Sequence, residues 1–329
     1  MTASIRIDSV RTVFDDGSHN AFTDLCRFKG RYYLTFRSCP DGHMVFPTSR
    51  IVVMASGDAK EWTVVHRFGV PDRDVRDPHF LAYKDTLYVY TGTWRATPGE
   101  AERRELNDHR GYGAWSSDGK RWEGPRFLEG TQGHYVWRAA AHGGYGYLNG
   151  RRKKGFAVLA PREREWEIQE SLLLRTSDGL RFERTAAFQE SYGDETAFLF
   201  GKDGSIVAVV RNRDGSRPAF LCRSRPPYAE WSRKALDRNV GGPLIADWNG
   251  RLLVGGRTSA AGGRSVTVLS WLVDDALVDA AELPSGGDTS YPGFVSLGPT
   301  RGLVSWYSSH EGSGTSLAPC SIYMADVSV

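Results

Sequence analysis

The chain has 329 residues, with 42 Lys and Arg against 39 Asp and Glu and a formal net charge of +3. So even a balance leaves no electrostatic footprint for nucleic acid or an anionic membrane surface, and the basic run Arg151–Lys154 reads as a solvated turn. No apolar stretch approaches the roughly 20 residues that span a bilayer. The N-terminus, MTASIRIDSV, lacks a charged n-region followed by an apolar h-region, so a cytoplasmic protein is expected. Cys26, Cys39, Cys222 and Cys320 show no CxxC spacing, which predicts free thiols and no zinc site.

In chain order the first element is Ser4–Val13, a stretch with strand-like alternation. A unit then recurs six times: a short alternating strand, a Gly or Asp turn, and a second strand that often ends in arginine. The copies open near Phe22, Asp77, Tyr135, Glu195, Gly242 and Tyr291, at spacings of 55, 58, 60, 47 and 49 residues. Third strands follow at Arg50–Ser56, Gly111–Ser116, Leu172–Thr176, Pro218–Arg223, Ser265–Leu272 and Ser321–Asp326. No segment carries a 3.6-residue apolar stripe, so helix content should be very low. Repeats of this period built from short strands predict an all-β, six-bladed β-propeller occupying residues 1–329 as a single domain. The sixth copy lacks a fourth strand, and Ser4–Val13 is expected to supply it and close the last blade.

A propeller brings the starts of its inner strands, and the ends of its second strands, to one axial mouth. Glu195 and Tyr291 stand at such starts, Arg37, Arg211 and Arg257 at such ends. A phenol with a pKa near 10 is a poor nucleophile unless a carboxylate takes its proton. The plainer alternative is a Glu195–Arg211 ion pair and a core tyrosine. The arginines offer planar forks suited to a carboxylate or to vicinal hydroxyls. Asp41 and His43, in the long Ser38–Ser49 connection, are the candidate general acids, and His43 can act near pH 6–7 without a large shift. Arg76 and Asp77 open the second copy, with Asp77 a second carboxylate candidate. Asp288, Tyr307, His310 and Glu311 crowd the end of the sixth and are candidates for sugar hydroxyls.

A second repeat occupies three later turns: Ser56 to Trp62, Ser116 to Trp122 and Thr176 to Phe182, with Asp58, Asp118 and Asp178 spaced by 60. Their side chains are expected to bond their own turn amides, away from the chemistry. These turns resemble the Asp-box of sialidases, one residue short between Asp and the aromatic. The resemblance extends to GDETAFLFGKDGSIVAVVR, LLVGGR and DTSYPGFV, and to bacterial exo-sialidase-like proteins through HNAFTDLCRF, LPSGGDTSYPG and WYSSHEG. It implies Tyr291 as nucleophile, Glu195 as its base, arginines 211 and 257 around an acidic sugar, and an acid from the Ser38–Ser49 connection. It implies no metal or organic cofactor. An Arg-Asp-Pro like that at Arg76–Pro78 is also found in five-bladed furanosidases. The chain departs from sialidases at Asn20–Asp24, where their Arg-Ile-Pro motif would stand. Arg37, Arg76 or Arg138 is then the replacement cation, or the sugar is not a sialic acid. The expected activity is exo-cleavage of a terminal, acidic sugar from a saccharide or glycoconjugate. The alternatives are a carbohydrate-binding propeller without catalysis and a polysaccharide lyase acting on a uronate. Oligomeric state is not legible.

Overall fold

The computed structural model describes residues 4–311 and 318–329. Strands dominate, and among the described residues the only helical pieces are short 3-10 turns such as Leu106–Asp108 and Arg162–Ile168. No helix is long and apolar enough to cross a membrane. Alternating Val, Ile, Leu and aromatic residues put one side of each strand into an inter-sheet core, which is why the repeat folds as sheet rather than helix.

The described strands form six four-stranded antiparallel sheets. The first comprises β2 (His19–Phe28), β3 (Arg31–Cys39), β4 (Arg50–Ser56) and β5 (Thr63–Phe68). The second comprises β6 (Arg73–Tyr83), β7 (Thr86–Arg95), β8 (Arg110–Ser116) and β9 (Glu123–Phe127). The third runs from β10 (Tyr135–His142) and β11 (Tyr145–Lys153) to β12 (Gln169–Thr176) and β13 (Glu183–Gln189). The fourth contains β14 (Gly193–Phe200), β15 (Ile206–Asn212), β16 (Phe220–Ser224) and β17 (Trp231–Ala235). The fifth contains β18 (Gly241–Trp248), β19 (Arg251–Ser259), β20 (Ser265–Val273) and β21 (Ala276–Leu283). In the sixth, β22 (Thr289–Ser296), β23 (Arg301–Ser308) and β24 (Ser321–Ser328) are completed by β1 (Arg6–Phe14), which pairs with β24 from Arg6↔Ser328 to Phe14↔Ile322. The first strand therefore closes the last blade, as its alternation predicts.

Packing divides the chain into two compact units, one of residues 1–78, 96–102 and 241–329 and the other of residues 79–95 and 103–240. In the first, β22 packs against both β2 and β18. Its core gathers Trp248, Leu253, Leu269, Trp271, Val304, Trp306 and Tyr323. In the second, β10 packs against β7 and β14. Its clusters centre on Tyr90, Leu148 and Leu174, and on Leu173, Phe188 and Ala208. Trp137 and Trp306 are fully buried, so packing accounts for both.

Asp58, Asp118 and Asp178 each lie in the turn between a third and a fourth strand. Asp178 Oδ1 accepts from Leu180 N and Arg181 N at 2.8 Å each and from Thr176 Oγ1 at 3.0 Å. The same pattern recurs at Ser116 and Asp118, and at Ser56 and Asp58.

Candidate functional site

The openings of the repeats coincide with a backbone device. In five of the first strands the register slips so that two residues face one: Phe22–Thr23, Trp137–Arg138, Asp194–Glu195, Gly242–Pro243 and Tyr291–Pro292. A bulge of this kind bends the strand and re-aims its side chains. Phe22 (φ 66°), Gly242 (φ 60°) and Tyr291 (φ 53°) adopt left-handed conformations there, as does Asp77 (φ 55°) in β6. For Phe and Tyr that conformation is costly and persists only where the surroundings enforce it. Gly242 serves two ends, because a Cβ there would stand 2.7 Å from Ser290 Oγ and from the ring of Tyr291.

In the first unit these bulges surround a buried charge network whose hub is Asp288. Its Oδ2 accepts from His19 Nε2 at 2.9 Å and from His43 Nδ1 at 2.6 Å, and its Oδ1 accepts from Tyr307 Oη at 2.9 Å. Arg257 Nη1 stands 3.7 Å from Oδ1, and Ser309 Oγ accepts the Asp288 amide at 2.9 Å. Burial would raise the Asp288 carboxyl, but the bonds from His19 and His43 hold it well below the usual carboxylate range. Burial pushes His43 down to about 4 against the opposing pull of Asp288. His19 is lowered by burial, with Arg37 and Arg76 adding to the effect and Asp288 opposing it. Near neutral pH the hub is thus one carboxylate bonded by two neutral imidazoles.

A second carboxylate, the fully buried Asp74, backs this hub. Arg37 gives Nε (3.0 Å) and Nη2 (2.8 Å) to Asp74 Oδ1, and Arg76 gives Nε to Oδ2 at 2.8 Å. Arg37 also donates to the carbonyls of Gly42 and Met44, and Arg76 to those of His43 and Met44. The two arginines thereby pin the loop that carries His43. Arg37 Nη1 lies 3.3 Å from His19 Nδ1. An arginine can only donate, so His19 Nδ1 accepts and its proton sits on Nε2, facing Asp288. His43 then offers Nδ1–H to Asp288 and keeps Nε2 as its reactive nitrogen, on a side chain 21% exposed.

His19 Nε2, His43 Nδ1 and Asp288 Oδ2 are close enough together to suggest a metal triad. The bond from Arg37 decides otherwise. Nε2 of His19 carries the proton, and a metal there would require imidazolate or the loss of that bond. The set is a hydrogen-bond network.

The aromatic rings complete the site. Phe22 lies 4.9 Å from Tyr291, 5.4 Å from Tyr307 and 5.8 Å from His43, centroid to centroid, with Arg76 5.4 Å over its face. Thr23 Oγ1 donates to the carbonyl of Tyr291 at 2.7 Å and fixes the bulge.

Of the predicted residues in this unit, His43, Asp288, Tyr307, Tyr291, Arg37, Arg76 and Arg257 come together. Arg37 is fully buried and all three of its guanidinium nitrogens contact protein acceptors, so its geometry suits positioning rather than a substrate clamp. Arg257 keeps 29% of its side chain exposed. Asp41 is exposed and accepts from Thr48 Oγ1 at 2.5 Å, outside the network. His310 Nδ1 bonds Ser308 Oγ, and Glu311 accepts from Tyr323 Oη; both bonds brace the end of the sheet. Asp77 is buried, at its left-handed position in β6. Sequence reasoning missed His19 and Asp74, whose partners come from distant strands.

In the second unit, Glu195 is buried and its Oε2 accepts from Arg211 Nη1 at 2.9 Å. The neighbouring Asp194 is fully buried, caps the Glu195 amide at 2.8 Å and contacts Arg151 and Arg213. Arg138 is buried, with its guanidinium 5.1 Å over Trp137.

This architecture is that of the sialidases, an all-β six-bladed propeller. Among solved structures, the chain is similar to a protein of unknown function from Dyadobacter fermentans (20% identity, TM-score 0.79, 99% of each chain covered). It is also similar to the endosialidase of phage phi92 (9% identity, TM-score 0.71, 98% of this chain and 69% of that one). A third similar structure is the Trypanosoma rangeli sialidase in complex with sialic acid (12% identity, TM-score 0.64, 98% of this chain and 57% of that one). No protein-family model matches the sequence, and no curated protein matches it. At such identities the likeness establishes the fold alone.

Proposed function

We propose that this protein is a glycoside hydrolase that releases a terminal acidic sugar, with residues 1–329 acting as one catalytic propeller domain. The observation that carries the reading is the setting of Tyr291. It is a tyrosine on a left-handed bulge, with room made by Gly242 and its ring against Phe22, which in turn meets a histidine oriented by a buried carboxylate. A core tyrosine needs none of these expenses.

In the proposed reaction Tyr291 Oη attacks the anomeric carbon and the bond to the aglycone breaks. The departing oxygen takes a proton from solvent, and the phenol proton passes to Glu195, the role given by the sialidase resemblance; His43 Nε2, unprotonated in the neutral ring, takes the proton of the water that attacks next. Water then hydrolyses the tyrosyl glycoside. A tyrosine avoids the like-charge repulsion that a carboxylate nucleophile would meet on an anionic sugar. Asp288 and His19 position His43, Arg37 and Arg76 hold its loop, and Arg257 faces the substrate's acid group. Asp77 is the reserve carboxylate. The partner is a saccharide or glycoconjugate, and no cofactor takes part.

One observation favours a second reading. A histidine whose pKa lies near 4 is neutral at pH 7, and a neutral imidazole with a free Nε2 suits proton abstraction beside a uronate carboxylate, as in a lyase. Aryl glycosides of sialic, 3-deoxy-octulosonic and uronic acids, assayed next to polymeric uronates, separate the two. Aryl release without ultraviolet-absorbing product supports hydrolysis, and an unsaturated product supports the lyase. Saturable binding with neither product would leave a lectin.

A further inference from the structure

We infer that Asp74 is a positioning residue that selects the tautomer of His43, although it bonds neither His43 nor Asp288. This role rests on the proposed reading of His43 as a proton acceptor. Asp74 is fully buried near the start of β6. Among the described residues its carboxylate bonds only arginines: Arg37 Nε and Nη2 on Oδ1, and Arg76 Nε on Oδ2. Two routes lead from that carboxylate to His43, one through side-chain rings and one through the backbone.

The ring route starts at Arg37. Asp74 Oδ1 takes two nitrogens along one edge of the guanidinium, which turns the remaining Nη1 to His19 Nδ1 at 3.3 Å and to the Gly42 carbonyl at 3.1 Å. The guanidinium is planar, so fixing one edge fixes the direction of the other donors. His19 is fully buried, and burial keeps it neutral near pH 7 with a single ring proton. With a donor at Nδ1, that proton sits on Nε2, where Asp288 Oδ2 lies at 2.9 Å. The other tautomer would set N–H against N–H at Arg37 and a lone pair against a carboxylate at Asp288. His43 Nδ1 stands 3.2 Å from His19 Nε2 and 2.6 Å from Asp288 Oδ2. His19 Nε2 already carries a proton and cannot accept, so the His43 proton goes from Nδ1 to Asp288, and Nε2 is left bare.

The backbone route holds the loop on both sides of His43. Arg37 donates to the carbonyls of Gly42 and Met44, and Arg76 to those of His43 and Met44. At the far end of the same connection, Ser49 Oγ accepts the amide of Val75, next to Asp74, at 2.8 Å. A buried cluster of one carboxylate and two cations is a poor source of stability, because apolar side chains of similar volume serve as well. A plain brace between β3 and β6 needs only the bonds to Asp74. It leaves unexplained the third nitrogen of Arg37 on His19 and the four carbonyl bonds around His43. Control of the His43 ring accounts for both.

Nitrogen NMR of the whole protein, labelled in its histidine rings and studied near neutral pH, tests this. Protonated and bare ring nitrogens differ in chemical shift, and His19→Gln and His43→Gln assign the two rings. The unsubstituted protein should show single tautomers, with His19 protonated on Nε2 and His43 on Nδ1. In Asp74→Asn both rings should average between tautomers. On the substrate found by the glycoside and uronate screen, kcat should fall about a hundredfold with KM little changed. A merely structural role would lower stability and leave the tautomers where they were. If Asp74→Asn fails to fold, Arg37→Lys decides. It keeps a cation beside Asp74, but one ammonium cannot bond Asp74, His19 and two carbonyls together, so the same averaging is expected. His19 protonated on Nδ1 in the unsubstituted protein would overturn the inference, as would a folded variant that keeps both tautomers. Averaged rings with undiminished kcat would uphold the role of Asp74 and overturn instead that of His43 in the proposed reaction.

Discussion

The two units each bury a charge hub, and the hubs are finished differently. Around Asp288 a carboxylate is fully served: His19, His43 and Tyr307 all bond it, and Arg257 stands beside it. Around Arg151 a cation is only partly served, with Asp194 on one side and an unpartnered Nε. A satisfied hub spends its bonds on holding other groups still, which is what a proton-transferring residue such as His43 requires. Buried charge is common to both hubs, and the bonds around Asp288 are what single it out as the one that orients a titratable side chain.

The sharpest way to test the division is to remove the chemistry from one side. Tyr291→Phe and Glu195→Gln should each cut kcat on the glycoside found by the screen by at least about a thousandfold. The double variant should be little worse than either, since coupled catalytic groups fail as a unit. Near-normal turnover by Tyr291→Phe would end the tyrosine mechanism.

The satisfied hub should also be the more expensive to break. Asp288→Asn leaves two imidazole N–H groups and a phenol without their carboxylate, and should cost about 3–5 kcal/mol on chemical denaturation. Arg151→Gln should cost less, because its donor already lacks a partner. Asp288 opposes the burial that depresses His43, so its loss should lower the His43 pKa below about 4. The limb of the pH–rate profile assigned to His43 should move to lower pH, a shift that mere loosening of the fold would not produce. Equal destabilisation by the two variants, or an unmoved limb, would erase the distinction.

Acid should discriminate as well. His43 and His134 are both pushed down to about 4 by burial, and His19 is lowered too. An ordinary histidine titrates near 6.5 when unfolded, so the unfolded chain binds these protons first. Stability is therefore fully present above pH ~6.5 and declines as pH falls toward 4, by on the order of 3 kcal/mol for each histidine at about 4. Denaturation midpoints measured from pH 7.5 to 4 should show that decline, and a flat profile would contradict the neutral imidazoles at the Asp288 hub.

How much of this was legible in the sequence follows from the range of the interactions. The repeat openings named five of the six places where the first strands bulge or turn left-handed, because Asp77, Gly242 and Tyr291 each precede Pro and interrupt an alternating strand. The third opening, at Tyr135, falls two residues before the bulge at Trp137–Arg138. Closure by the first strand was legible from alternation plus one missing strand, although it runs Arg6–Phe14 rather than Ser4–Val13. Side-chain partners were not. Arg37 ends a strand as a substrate-binding arginine would, but its carboxylate, Asp74, comes from the start of the next sheet. Asp41 and His43 are two residues apart in one loop, and only the fold shows that Thr48 takes the first and Asp288 the second. His19 carries no local pattern at all.

The smallest effect is expected where the sequence signal was strongest, in the Asp turns that belong to neither hub. Asp178 takes two backbone amides and a threonine hydroxyl, all within its own turn, and Tyr90 Oη donates to the carbonyl of Gly179 beside it. Its carboxyl is lowered by these bonds against the cost of burial, but it is largely solvated, so most of the electrostatic gain is screened. Asp178→Ala should therefore cost about 1 kcal/mol and roughly 2 °C in melting temperature. Turnover per folded molecule should be unchanged. A variant that kept its melting temperature but lost turnover would place a functional residue in a turn that local hydrogen bonding otherwise explains in full, and the contrast between two hubs would have to become a contrast among three sites.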